Sequence, residues 1–288
     1  MIIDWYPGHM KKARQQIIDL MPKIDLFIEV LDARLPVSSA NPMLERIRRD
    51  KPCVKVLNKN DLADPLVTRE WIRYFEQHAG VRALPIEARK RADVSRIINL
   101  CRNLVPGRGK PGRSLRVMVV GIPNVGKSTL INTLAGKKIA RVGDKPAITT
   151  CPQQIDLRNG VLLSDTPGLL WPALDDPIGA RRLATSGAIG DNAIDYIGVA
   201  QFALEFMLQR YPQAVLTRYK LEQPPETAAL GLEQIGRRRG CLLSGGEVDS
   251  HRAAEIFLRE LRSGVLGRIS LETPEDVATS ETDETGIV

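Results

Sequence analysis

A glycine-rich stretch in the middle of the chain has the residue types that hold phosphate groups. It reads Gly-Ile-Pro-Asn-Val-Gly-Lys-Ser from Gly121 to Ser128, between a predicted strand and a predicted helix. In this pattern the glycines let backbone N–H groups converge on phosphate at the helix start, Lys127 bridges two phosphates, and Ser128 binds Mg²⁺. The pattern therefore predicts a nucleotide site. Its further expected members are Asn124, Val125, Gly126 and Thr129.

Two stretches later in the chain predict a metal ion and a sensor of the terminal phosphate. The run Asp165–Gly168 follows a predicted strand, so that Asp165 can orient a water on Mg²⁺ and the Gly168 N–H can meet the γ-phosphate. The polar segment 144–150 suits a loop that becomes ordered when a hydroxyl reaches Mg²⁺. Thr149 is the expected hydroxyl, and the adjacent Thr150 stays an alternative because spacing does not separate the two. The expected Mg²⁺ ligands are then Ser128, Thr149 and Asp165.

A third polar segment predicts which base is bound. Asn58-Lys59-Asn60-Asp61 follows an apolar run that predicts a strand. The Asp61 carboxylate can accept hydrogen bonds from both N1–H and the exocyclic amine of guanine, which adenine does not offer in that geometry. The segment therefore favours GTP over ATP. It disfavours a nucleotide kinase or another ATP enzyme, which would use the same kind of phosphate loop.

Alternating apolar and helical patterns predict an α/β fold followed by a helical domain. Strands are predicted at 25–31, 53–57, 81–86, 115–120, 154–157 and 161–164, which indicates a mixed, mostly parallel sheet between helices. The glycines and prolines of 105–114 predict a linker within this first domain, which spans 1–174. Only helical patterns are predicted for 175–268. From 269 to 288 the sequence is acidic and lacks an apolar face, which predicts disorder.

Charge and composition indicate the expected cellular compartment of the protein and the expected class of its partners. The 288 residues include 41 Lys and Arg against 34 Asp and Glu, and six of those acids follow Leu271. A basic body with an acidic end favours a polyanion such as RNA as partner. No apolar run approaches the ~20 residues of a membrane helix, and the N-terminus lacks a secretory pattern. Four widely spaced cysteines indicate neither a zinc site nor disulfides. We therefore expect a cytoplasmic protein with no membrane partner, and a monomer.

The order of the motifs and the first residues resemble a known group. The guanine-reading segment precedes the phosphate loop, whereas it follows that loop in Ras-like GTPases. Circularly permuted GTPases share this order, and Asp4-Trp5-Tyr6-Pro7-Gly8-His9-Met10 resembles the opening of the YlqF/RbgA family. The resemblance continues through Asp32–Pro36, Asn41-Pro42 and 166–172. It covers roughly the first 175 residues.

This resemblance implies a circularly permuted P-loop GTPase domain with a C-terminal all-helical domain. It implies a GTP-hydrolysing factor that acts on the large ribosomal subunit and its rRNA. The family's base-backing segment usually reads Ser-Ala-Lys, whereas Glu87-Ala88-Arg89 stands here, so Ala88 would supply an N–H to guanine O6 and Arg89 would flank the ring. The alternative is a GTP-dependent regulatory module that acts on RNA or protein outside the ribosome.

The residue that directs the attacking water is not the usual one. Ras-like GTPases place a glutamine just after the Asp-x-x-Gly motif, and Leu169 stands at that position here. One candidate is His9, whose neutral imidazole can orient or deprotonate water near pH 7. The other is a potassium ion held by Asn124, since GTPases with a similar loop use a second cation there. Both stay open.

Overall fold

Six strands form one sheet in the computed structural model, which describes residues 15–140, 153–166, 176–190 and 194–277. The strands are β1 (Leu26–Asp32), β2 (Cys53–Asn58), β3 (Val81–Pro85), β4 (Leu115–Val120), β5 (Gln153–Asp156) and β6 (Val161–Asp165). Their order across the sheet is β3-β2-β1-β4-β6-β5, and every neighbouring pair is parallel except β5 with β6. The mixed, mostly parallel sheet predicted from the sequence is confirmed.

In the part of the chain that the structure describes, four helices lie in the connections between these strands. They are α1 (Pro42–Arg48), α2 (Pro65–Glu76), α3 (Arg91–Leu104) and α4 (Lys127–Ala135), and a short 3-10 turn, Met21–Lys23, precedes β1. Proline occupies the first turn of α1 and α2, and the side chains of Asn41 and Asp64 cap their N-termini. Proline is tolerated there because the first N–H groups of a helix have no partner within the helix. Between α3 and β4, residues 105–114 form turns, as the glycines and prolines predict.

Within the described residues, five helices of eight or more residues follow the sheet. They are α5 (Pro177–Ser186), α6 (Tyr196–Arg210), α7 (Pro212–Tyr219), α8 (Ala228–Arg238) and α9 (Ser250–Arg262). The helical patterns of the sequence predict four of the five, at 178–188, 199–210, 227–237 and 248–263. The sequence did not predict α7, because Tyr211 ends α6 and starts α7 with no connecting loop, and Pro212 reads as the end of the preceding helix. In the described part of the chain, no helix has the length and apolarity needed to cross a membrane.

The later helices share a hydrophobic core with the sheet. One continuous cluster of buried apolar side chains includes Val119 of β4, Leu183 of α5, Leu204 of α6 and Phe257 of α9. A second cluster lies around Trp71 of α2 and includes the other face of β1 and β2. The helical part therefore packs directly against the sheet that carries the nucleotide motifs.

The segment after α9 is ordered as far as residue 277. The Ile269 N–H donates to the Leu62 carbonyl at 2.8 Å, and the Leu271 N–H donates to the Arg34 carbonyl at 2.7 Å. Ile269 and Leu271 are buried. The prediction of disorder from 269 is therefore wrong for 269–277, while 278–288 lie outside the described residues. Ile269 and Leu271 alternate with polar residues over only four positions, which is too short a pattern to predict this docking.

Glu272 anchors that segment to the loop after β1. Its carboxylate accepts hydrogen bonds from the N–H of Val37 at 2.5 Å, from the N–H of Ser38 at 3.1 Å and from the Ser38 hydroxyl. Arg182 of α5 lies 3.4 Å from the same carboxylate, and Glu272 is buried. One acidic side chain of the expected tail thus joins the sheet domain to the helical part.

Replacing Glu272 by alanine should lower the free energy of unfolding by about 3 kcal/mol, because it leaves buried donors without acceptors. Chemical denaturation monitored by fluorescence would measure the change. Glu226→Ala is the matched control, since Glu226 is exposed in a loop before α8. Equal stability of the two variants would contradict an anchoring role for Glu272.

Candidate nucleotide site

The phosphate loop has a backbone shape that only glycine allows at two positions. Gly121 has φ 148°, and a Cβ there would lie 2.5 Å from the Val30 carbonyl oxygen. Gly126 has φ 102°, and a Cβ there would collide with the Asn58 side-chain amide. Because both glycines face neighbouring strand ends rather than solvent, the loop lies close against the sheet. It leads into α4 with Lys127 as the first helical residue, as predicted.

Lys127 is buried beneath this loop. Its ammonium donates to the Ile122 carbonyl at 2.7 Å. Burial lowers the pKa of Lys127 to about 8, and the negative charge of Asp165 opposes that shift. The ammonium is therefore held inside the loop, where a polyphosphate would draw it away from the carbonyl.

Asn58 connects the phosphate loop to the base-backing segment. Its side-chain N–H donates to the Val125 carbonyl at 2.7 Å, and its side-chain oxygen accepts from the Ala88 N–H at 2.9 Å. Asn58 is buried, and both of its contacts are with backbone groups of other motifs. The residue therefore fixes the distance between the loop for phosphate and the loop for the base. This role was not predicted from the sequence, which placed Asn58 only in the guanine-reading segment.

The contact of Asn58 changes the expected role of Ala88. The resemblance to the YlqF/RbgA family implies that the Ala88 N–H donates to guanine O6, but in the structure that N–H donates to the Asn58 side-chain oxygen. The next backbone N–H, that of Arg89, has no hydrogen-bond partner among the described residues, and the Arg89 side chain is exposed. Arg89 is thus better placed than Ala88 to offer an N–H to the base.

The remaining polar residues of the guanine-reading segment lie just beyond β2. Asp61 is exposed, as a carboxylate that reads a base must be. Lys59 adopts the left-handed region with φ 58°, and its ammonium donates to the Asp32 carboxylate at 2.9 Å. An ion pair with Asp32 therefore holds the Lys59 side chain, whereas the Asp61 side chain is open to a ligand.

Asp165 and Ser128 are the two predicted Mg²⁺ ligands that lie within the described residues. Asp165 ends β6 and is buried, and its charge acts on Lys127. Ser128 is the second residue of α4, directly after Lys127, and Thr129 follows it. A carboxylate and a hydroxyl are the oxygen ligands that Mg²⁺ prefers beside phosphates. These residues fit a Mg²⁺–phosphate group. Three further predicted residues, His9, Thr149 and Gly168, lie outside the described residues.

Asn124 connects the phosphate loop to the helical part. It has φ 61°, and its side-chain amide faces the carbonyls of Gly187 and Ala188 at 3.5 and 3.4 Å. These carbonyls belong to the turn that follows α5. Arg262 of α9 donates to the Ala184 carbonyl at 2.8 Å and so holds the end of α5 from behind. No sequence pattern predicts the contact of Asn124 with this turn, because the two segments lie far apart in the chain.

Comparisons with known proteins show which family the chain resembles. Residues 116–201 match a family model described as "50S ribosome-binding GTPase". The chain is 45% identical to ribosome biogenesis GTPase A of Bacillus cereus, covering 96% of this chain and 95% of the relative. It is 32% identical to ribosome biogenesis GTPase A of Thermotoga maritima, covering 98% and 99%.

Solved structures show the same fold. GDP-bound YlqF matches with a TM-score of 0.67 and 29% identity, covering 91% of this chain and all of that chain. GNP-bound YlqF from T. maritima matches with a TM-score of 0.64 and 28% identity, covering 92% and 99%. The chain is therefore a GTPase that belongs to the ribosome biogenesis GTPase A (YlqF/RbgA) family.

Proposed function

We propose that this chain is an assembly factor for the large ribosomal subunit that binds rRNA in a nucleotide-dependent manner and hydrolyses GTP with Mg²⁺ bound. The observation that carries the proposal is the 45% identity, along almost the whole chain, to a protein named ribosome biogenesis GTPase A. The description of the matching family model, "50S ribosome-binding GTPase", supports the large subunit as its target. The basic composition supports RNA as the surface it contacts. We further propose that the protein acts as a monomer in the cytoplasm.

In this proposal the GTPase site uses the residues described above. Asp61 accepts the two guanine N–H donors, and the Arg89 N–H donates to O6. Lys127 and the backbone of Val125 and Gly126 hold the phosphates, while Ser128, Thr149 and Asp165 hold Mg²⁺, which neutralises charge on the phosphate oxygens.

The RNA-facing surface is proposed to lie on the helical part, where the sequence places many arginines. The structure separates these residues into two groups. Some are paired internally: Arg182 with Glu272, Arg210 with Asp276, Arg218 and Arg239 with Glu260, and Arg237 with Glu233. Others are exposed without an ion pair among the described residues: Arg181, Lys220, Arg238, Arg252 and Arg259. The second group is the better candidate for phosphate contacts, because its charge is not already compensated.

Cosedimentation with ribosomal subunits in a sucrose gradient would test this function. We expect the chain to travel with large subunits when a non-hydrolysable GTP analogue is bound and to leave them with GDP. Replacing Arg238 and Arg259 by alanine should weaken the complex and reduce the slope of its salt dependence by about 2. Arg69→Ala on α2, an exposed arginine of the sheet domain, is the matched control.

Two outcomes would contradict the proposal. If neither nucleotide state brings the chain to subunits, the regulatory module outside the ribosome is favoured. If the Arg238 and Arg259 variant behaves like Arg69→Ala, the RNA-facing surface lies elsewhere.

Nucleotide binding should take up a proton in mildly alkaline solution. Free Lys127 has a pKa of about 8, and a bound polyphosphate must raise it. The GDP affinity should therefore fall as pH rises through 8, because the ammonium must first be protonated. Calorimetry at about pH 8.5 in two buffers of different ionisation enthalpy should show uptake of a fraction of a proton, because the GDP phosphates are already fully ionised at that pH.

Lys127→Arg provides the control for this titration. A guanidinium stays charged throughout this range, so its binding, although weaker, should not depend on buffer identity. Proton uptake by that variant, or none by the wild type at about pH 8.5, would show that another group titrates.

We also propose that His9 or a potassium ion at Asn124 directs the attacking water, since Leu169 cannot. His9→Ala should slow GTP turnover by ~10²-fold if the imidazole is a general base, with GTP binding nearly unchanged. Exchanging potassium for sodium should slow the wild type and make no difference to Asn124→Ser. Single-turnover hydrolysis measures both effects. If turnover ignores both changes, the ribosomal subunit must supply the catalytic group.

A further inference from the structure

A buried ion pair lies at the end of β1, directly beside the guanine-reading segment. Asp32 is the last residue of β1 and pairs in register with Asn58, the last residue of β2. The Arg34 guanidinium binds the Asp32 carboxylate with two hydrogen bonds, of 2.9 Å from Nε and 2.8 Å from Nη2. Both side chains are almost fully buried. Such a pair is weak evidence for stability alone, because removing two charges from water offsets most of their attraction.

The same carboxylate holds a third charged group, Lys59. Its ammonium lies 2.9 Å from Asp32 Oδ2, the oxygen that Arg34 Nη2 also binds. Although burial alone raises the pKa of the Asp32 carboxyl, the charges and hydrogen bonds of Arg34 and Lys59 hold it well below its usual range. Asp32 therefore stays ionised and can hold both cations.

Lys59 belongs to the guanine-reading segment, so its contact with Asp32 bears on how the base is bound. Lys59 lies between Asn58, which is tied to the phosphate loop, and the exposed Asp61. Its backbone has φ 58°, so its side chain starts from a conformation that L residues seldom adopt. With its ammonium fixed on Asp32, the Lys59 side chain is held at the end of β1, next in the chain to Asn58, whose amide contacts the phosphate loop. The segment that is expected to read guanine is thereby tied both to Asp32 and to the phosphate loop.

Arg34 fixes the other side of Asp32 by contacts to two distant segments. Its Nη2 donates to the carbonyl of Ser186, the last residue of α5, at 3.2 Å. Its own carbonyl accepts the Leu271 N–H. The guanidinium is thereby held between the sheet and the helical part. The Asp32 carboxylate cannot rotate away from Lys59 without breaking the two hydrogen bonds that it accepts from Arg34.

We propose that Asp32 and Arg34 are positioning residues for guanine-nucleotide binding, which act through Lys59. The inference rests on the proposed guanine-reading role of the segment Asn58–Asp61. Asp32 orients the Lys59 side chain along the base, and Arg34 orients Asp32.

A double-mutant cycle on GDP affinity tests this directly. Asp32→Asn and Lys59→Met should each weaken binding of a fluorescent GDP by about tenfold or more. The double variant should be no weaker than Lys59→Met alone, because Asp32 then has nothing to orient. If the loss of GDP affinity in the double variant equals the product of the two single losses, Asp32 acts independently of Lys59 and the proposal is overturned. An unchanged affinity in Asp32→Asn would overturn it as well.

The chain offers a matched control for loss of a buried carboxylate. Glu29 and Lys55 form a second buried ion pair between the same two strands, with 2.8 Å between Nζ and Oε2, but away from the guanine-reading segment. Glu29→Gln should lower stability and leave GDP affinity unchanged. If it weakens GDP binding as much as Asp32→Asn, the effect of Asp32 is a general loss of structure.

Two further variants keep the test decisive. If Asp32→Asn does not fold, Arg34→Lys keeps a cation beside Asp32 but removes the fork. It should weaken GDP binding in the wild-type background and not in Lys59→Met, and equal weakening in both would contradict the proposal. Asp61→Asn separates this inference from the proposed function: unchanged guanine selectivity there would refute the base-reading segment itself. Lost selectivity in Asp61→Asn, with normal affinity in Asp32→Asn, would refute only the positioning role.

Discussion

Parallel pairing of β1 with both β2 and β4 is the constraint on which the nucleotide site depends. Parallel strands end at the same edge of a sheet, so Asp32, Asn58 and Val120 bring their following loops together although they lie far apart in the chain. The site is therefore independent of the order in which the strands occur in the sequence. This explains why the guanine-reading segment can precede the phosphate loop without loss of geometry, since only the register of neighbouring strands has to be preserved.

The helical part is joined to this edge at both halves of the site. The end of α5 and the turn after it contact Arg34 through the Ser186 carbonyl and face Asn124 through two further carbonyls. Glu272 closes the arrangement by binding the loop that carries Arg34 and, at its other side, Arg182 of α5. A shift of α5 would therefore change contacts on the base side and on the phosphate side of the site together. In the proposed function, these contacts would be a physical route by which nucleotide state and the orientation of the helical part influence each other.

The features that the sequence predicted are those with a local cause. The strand before Gly121 and the helix from Lys127 follow from an apolar run, a glycine pattern and a helix start that are adjacent in the chain. The features it did not predict depend on partners that are distant in sequence. The use of the Ala88 N–H by Asn58 and the docking of Glu272 onto the loop after β1 are of this kind. Asn58 and Glu272 are of residue types that are common on any protein surface, so only the fold identifies their partners.

The polar contacts of the site differ in what a nucleotide would do to them. The contacts of Asn58 and of Asp32 connect protein groups on either side of the expected ligand, so binding need not break them. The contact of Lys127 with the Ile122 carbonyl is different, because the ammonium has to turn toward the phosphates. Among these three contacts, the cost of rearrangement therefore falls on Lys127. Burial also disfavours the charged form of Lys127. The negative charge of an incoming polyanion would favour that charged form again.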